Sequence, residues 1–129
     1  MNTTNKSIDD IILSIESNNQ TIDDMLITAK ENNSRISTTM HGYAVSHSCL
    51  NSEQMNAYAD YARAYDTVKR LYNTAINTKS LENIQKIHNE QLAYSMLDEV
   101  HTEQLSLMER LCTVLEKAGT ALKLLCVNQ

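Results

Sequence analysis

SIDDIILSIESNNQ, residues 7–20, is followed at once by TIDDMLITAKENNS, residues 21–34, and the two align without a gap. Ile8/Ile22, Asp9/Asp23, Asp10/Asp24, Asn18/Asn32 and Asn19/Asn33 are identical, and the apolar residues between them are exchanged conservatively. A fourteen-residue period is two heptads, so one continuous helix presents both copies on the same face. Ile8, Ile15, Ile22, Ala29 and Ile36 then fall seven apart, with Ile11 and Met25 three residues beyond the first isoleucine of each copy. Ser7-x-x-Asp10 and Thr21-x-x-Asp24 also have the form of helix N-caps with acidic first turns, an alternative that divides the segment at its Asn pairs. The continuous face favours one helix over about residues 7–32, with Asn18-Asn19 as the point of any kink.

Composition points the same way. The 129-residue chain holds two Gly and no Pro, Phe or Trp. Two glycines cannot build a dinucleotide fingerprint or a P-loop, and they leave little for the corners of a many-stranded sheet. A proline-free chain tolerates long helices. At 42% hydrophobic and 21% charged residues it has the balance and length of a single domain, 1–129. The expected class is all-α, either a three- or four-helix bundle or an extended helical hairpin, with heptad-like coiled-coil packing.

Further along, residues 33–50 (NSRISTTMHGYAVSHSCL) accumulate Ser, Thr and Gly42 and are expected to form a loop. The helical signal returns over about 51–77, with Asn51 or Ser52 able to cap. There Met55, Tyr58, Ala62, Tyr65, Tyr72 and Ile76 form one stripe, and Ala57, Tyr61, Ala64, Val68, Leu71 and Ala75 form its neighbour. Two adjoining stripes make a wide apolar face, suited to the interior of several packed helices. Thr78-Lys79-Ser80 reads as a short connection. A last helix is expected over about 80–126, its first face carried by Leu81, Ile84, Ile87, Tyr94, Leu97 and Val100. Any break is placed near 101–103. Beyond it run the stripes Leu105, Met108, Cys112, Leu115, Gly119, Leu122, Cys126 and Leu107, Leu111, Val114, Ala118, Ala121, Leu125.

Eleven Lys and Arg against sixteen Asp and Glu leave a net charge of −5, with the cations dispersed. Such a chain has no electrostatic route onto nucleic acid or an anionic membrane surface. No apolar run is long enough for membrane insertion. The N-terminus leads into Asp9-Asp10, not into an uninterrupted apolar core, and Cys49, Cys112 and Cys126 are odd in number and scattered. A cytoplasmic protein with free thiols is expected; export by a non-classical route would leave the same signature.

Chemistry-bearing patterns are sparse. His47-x-Cys49, with His41 nearby, lacks the two tight ligand pairs of structural zinc. Asp98 and His101 match half of a helical di-iron motif, but His88 is preceded at that spacing by Gln85, so the second half is missing. A polar layer, either solvated or hydrogen-bonded between helices, is the better expectation there. Cys112 and Cys126 lie on an apolar stripe and read as core residues. Cys49 beside His47 has no oxyanion-hole loop. Neither a catalytic residue nor a metal ligand nor a cofactor is assigned, and the chain is not read as an enzyme.

Tyrosine is the only aromatic type, and four of the six Tyr lie on one helix. Tyr joins an apolar body to a polar tip and is enriched at interfaces. Tyr58, Tyr61, Tyr65, Tyr72, Leu105, Met108, Leu115 and Leu122 are the candidate partner-binding residues. The expected function is a helical protein–protein interaction module, an adaptor, chaperone or oligomeric structural subunit that packs helices against another protein in a homo-oligomer or hetero-complex. The alternatives are a helical DNA-binding regulator, whose segment 102–119 carries only Arg110 and Lys117 as cations, and a metal-binding bundle. In size, acidity and helical build the chain resembles the small acidic chaperones and structural subunits of bacterial secretion machinery, a resemblance of shape and composition carried by no motif.

Overall fold

The heptad column of the repeat does not stop at residue 32. The computed structural model describes the backbone of residues 3–75 and 78–126 and the side chains of 8–72 and 82–126. In it α1 spans Thr3–Val45, 43 residues and about 65 Å at 1.5 Å per residue. Helices α2 (Ser52–Ala75), α3 (Thr78–Gln85) and α4 (Glu90–Leu125) follow, and no strand occurs among the described residues. The protein is all-α.

Residues 33–45 are therefore helix, not the first part of a loop. Ile36 is buried and Met40 and Tyr43 pack on the core, so tertiary burial outweighs the weak propensity of the Ser/Thr-rich stretch. The hydroxyls are absorbed locally, as where Thr39 Oγ1 donates to the Arg35 carbonyl at 2.9 Å. The stop comes at His47, which has φ 56°. The Ser48 N–H reaches the Tyr43 carbonyl at 3.0 Å and the His47 N–H that of Ala44 at 3.2 Å. This is a Schellman closure with histidine in the left-handed position that glycine usually holds.

Helix α2 opens with a reciprocal cap. The Gln54 N–H donates to Asn51 Oδ1 (2.8 Å) while the Asn51 N–H donates to Gln54 Oε1 (2.9 Å). The expected connection at 78–80 is instead the first turn of α3, and the passage at 76–77, together with the side chains of Ala75, Ile76 and Leu81, lies outside the described residues. The last helix breaks at residues 86–89 and is continuous through 101–103. Asn89 caps α4, accepting from the Leu92 N–H at 3.1 Å, with Glu90 in the first turn. The apolar phase also slips there. Ile84 and Leu97 are buried as expected, but Ala93 is buried in place of Tyr94, which the spacing from Ile84 and Ile87 had turned inward.

Helix α4 is the spine. Its buried residues Ala93, Leu97, Gln104, Leu107, Leu111, Val114, Ala118, Ala121 and Leu125, with half-buried Val100, alternate steps of four and three, and Leu122 is buried beside them. They meet Ile15, Ile22, Ala29 and Ile36 of α1 on one side and Tyr61 and Val68 of α2 on the other. Asn18 lies against Gln104 and Tyr43 against Leu125, so α1 and α4 run parallel. Gln54, at the start of α2, lies against Leu124, so α2 runs antiparallel to both. Of the two C-terminal stripes, that of Leu107 to Leu125 is the core. Its neighbour, apart from buried Leu122, is a flank, on which Cys112 is exposed, contrary to the expected core role. A 100° step around the helix separates such stripes, and sequence spacing alone does not rank them.

A polar layer divides the core in two. Gln104, 0% exposed, donates from Nε2 to Asn19 Oδ1 (2.6 Å) and to the Ile15 carbonyl (3.0 Å), and its Oε1 accepts from Asn18 Nδ2 (3.3 Å). On one side lies the small cluster of Ile15, Ile84, Ala93 and Leu97; on the other the large cluster shared by α1, α2 and α4. At the far end Tyr43 Oη donates to the Leu125 carbonyl (2.7 Å) and Gln54 Nε2 to that of Leu124 (3.0 Å). The last carbonyls of α4, which have no partner within their own helix, are thus satisfied from α1 and α2.

Candidate functional site

Helices α1 and α2 each pack on α4 but not closely on one another, and no pair of their Cα atoms comes within 8 Å. Side chains bridge part of the gap. The Tyr61 hydroxyl, buried, donates to Asn33 Oδ1 at 2.7 Å, and its ring lies 5.7 Å from that of Tyr65. Burial, with smaller contributions from Tyr65 and Tyr58, holds the Tyr61 hydroxyl well above the usual tyrosine pKa, so it remains a donor at all ordinary pH values.

Beside that bridge lies an apolar groove of about 230 Å³. Leu26, Ala29 and Lys30 of α1 form one wall, and Tyr65, Val68, Lys69 and Tyr72 of α2 form the other. The two α2 stripes divide the work. The Tyr61–Val68 stripe supplies the seam, and the Tyr58–Tyr65–Tyr72 stripe is left half-buried along the α1 side. The rim is cationic on both sides, although the chain as a whole is acidic.

The eight residues expected to bind a partner are separated by the fold. Tyr61 and Leu122 are buried in the core. Tyr65 and Tyr72 line the groove, and Tyr58, half-buried, precedes them by one heptad. Leu105 (50% exposed), with Met108 and Leu115 half-buried, belongs to the α4 flank instead. Leu26, Ala29 and Lys30 were not foreseen. Their signal was the second stripe on α2, which demanded a neighbour other than α4. Leu13 (64% exposed) and Ile27 (57% exposed), equivalent positions of the repeat, are likewise left outside the core.

The turn between α1 and α2 borders an open hollow of about 480 Å³, lined among others by Tyr43, Cys49 and Gln54. Among the described residues no buried side-chain nitrogen or oxygen lacks a partner, no three His, Cys, Asp or Glu side chains converge, and no helix is long and apolar enough to cross a membrane. His41 lies on α1 and is exposed, as are His47 and Cys49 in the turn. No family model, curated protein or solved structure matches the chain.

Proposed function

We propose that the protein is a non-enzymatic helical interaction module, an adaptor, chaperone or structural subunit that accepts a helix from another polypeptide. On this reading α1, α2 and α4 form a bundle with coiled-coil-type packing that is one helix short. The observation that carries it is the unclosed α1–α2 groove, floored by Ala29 and Val68 and flanked by half-buried tyrosines. An amphipathic helix laid there would give each tyrosine of the second α2 stripe a neighbour and complete four-helix packing.

Surface area supports this reading. The chain exposes 8466 Å², against about 6,900 Å² for a compact 14.6 kDa monomer. The difference of roughly 1,500 Å² is about twice the roughly 800 Å² that each partner contributes to a standard interface. The lysines on both rims favour an acidic partner helix. Titration with an anionic naphthalene-sulfonate dye tests the proposal. Enhanced fluorescence in the folded protein, reduced by Tyr65→Ser and Tyr72→Ser with helicity retained, is expected. A folded chain that ignores the dye, and whose light scattering gives a monomer at every concentration, overturns it.

A further inference from the structure

The two charged side chains that line the α1–α2 groove, Lys30 and Lys69, are both cations and stand on opposite rims. Bonds between the antiparallel helices, Tyr61 to Asn33 and Gln54 to Tyr43, set their level: Lys69 stands opposite about residues 25–28 of α1. Lys30 is then displaced from it by about 3–8 Å along the axis. Helical side chains lean toward the N-terminus of their own helix, so on antiparallel helices these two lean toward one level. Neither forms an ion pair among the described residues. Nearby carboxylates do not answer them. Asp66 is taken up by Arg70 at 3.7 Å. Exposed Glu31 lies about 100° further round α1, toward solvent, and Asp23 lies one heptad, about 10 Å, before Lys30. An acidic chain thus sets two like charges across an apolar trough, a repulsion that a negatively charged occupant relieves.

We propose that the groove takes a helix of a different protein, one whose sequence reads apolar–acidic–x–acidic–apolar. The inference rests on the interaction-module reading and fixes the chemistry of its occupant. A helix seated on one apolar stripe turns an edge to each rim. Two residues on opposite edges are either two apart, about 160° around the helix and 3 Å along it, or five apart, about 140° and 7.5 Å. The near-level lysines select the first spacing. Carboxylates two apart then meet one lysine each, and the residues just outside them, four apart on the buried stripe, enter the trough between Tyr65, Tyr72 and Leu26. Carboxylates at these two positions are the edge residues of a heptad, where charge sets the choice of partner. Nowhere in the 129 residues of this chain do two acidic residues stand two apart, so a second copy does not supply the pattern.

Fluorescence anisotropy of a labelled peptide at nanomolar concentration, titrated with the full chain, tests this. The probe is a three-heptad helix with Leu at a and d, Glu at every e and g, and Ala or Gln elsewhere. Two peptides of the same length serve as comparators, one with Lys at e and g, the other with its Glu moved to b and c and Gln at e and g. The probe is expected to bind about tenfold or more tightly than either at low ionic strength, with the gap narrowing as salt is added. Lys30→Glu with Lys69→Glu, at two exposed positions that spare the fold, should reverse the order, so that the Lys peptide binds best. Equal affinity for Glu at e and g and Glu at b and c, or an order that the lysine reversal leaves unmoved, overturns the inference. A protein that binds the dye but none of the peptides overturns it too and leaves the module reading standing. One that stays monomeric and binds neither dye nor peptide removes both.

Discussion

The two halves of the α1 repeat are nearly the same sequence and do different work. In the first copy the Asn pair turns to α4, where Asn18 and Asn19 complete the amide of buried Gln104. In the second, Asn33 turns to α2 and accepts from Tyr61. The isoleucines opening the copies differ as well: Ile22 is wholly buried, while Ile8, in the early part of α1, is half-buried. Repetition fixes which face of a helix looks inward, and the neighbour at each level decides what that face meets.

The isoleucines give the largest expected contrast. Ile22→Ala should cost about 2–5 kcal/mol, from lost transfer energy plus the cavity left in the three-helix cluster. Ile8→Ala, the same change one repeat earlier, should cost about 1 kcal/mol, because much of its side chain already meets water. Urea unfolding of the two variants measures the gap; equal losses would mean that the copies share one environment.

Next comes the polar layer. Gln104→Ala deletes one donor group and one acceptor, leaving the Asn19 carbonyl and the Asn18 amide without it inside the core, at an expected cost of about 3 kcal/mol. The companion experiment replaces Asn18, Asn19 and Gln104 together by Leu. If the layer serves register more than stability, the triple variant should be more stable than Gln104→Ala yet lose its single α1–α4 alignment, visible as doubled or broadened NMR resonances. A triple variant as unstable as the alanine variant would assign the layer a purely energetic role.

In the second copy the hydrogen bond is smaller in effect and carries a pH signature. Tyr61→Phe removes one donor to Asn33, worth about 1 kcal/mol at neutral pH. The folded state holds the Tyr61 proton more tightly than the unfolded chain does. That contribution is complete below the ordinary tyrosine pKa of about 10 and is lost as pH rises beyond it, where the unfolded state ionises first. The wild type should therefore lose stability more steeply than Tyr61→Phe above about pH 10. Parallel curves would place Tyr61 outside the alkaline transition.

These contrasts also mark what sequence could and could not supply. The all-α class and the buried Ile15–Ile22–Ala29–Ile36 column follow from spacing and from the absence of proline. The Asp98–Gln104 patch was legible as polar, either solvated or bonded between helices; most of it is solvated, and only Gln104 enters the core, to meet two asparagines 85 and 86 residues away. Helix ends were read poorly where a local signal competed with burial. Ser, Thr and Gly42 suggested a loop, but Ile36, Met40 and Tyr43 kept the chain on α4 as far as Val45. The cap at Asn89-Glu90 was present in the sequence and hidden by the strong helical signal on either side. The groove was the least legible feature, because it is defined by the distance between α1 and α2, which no single helix encodes.

The smallest expected effect tests the same competition at Gly42. A methyl group added there meets nothing within 4 Å, and the residue lies inside α1 with no positive φ. Replacing a helical glycine by alanine removes unfolded-state freedom without adding strain, so Gly42→Ala should stabilise the protein by about 0.5–1 kcal/mol. His47→Gly should act in the same direction and to a similar extent, by relieving a left-handed conformation that disfavours any residue with a Cβ. The two together separate a helix that ends at His47 from a loop that begins at residue 33. In such a loop neither change has a reason to help, and the second copy of the repeat would stand at the end of α1 instead of in the middle of a rod.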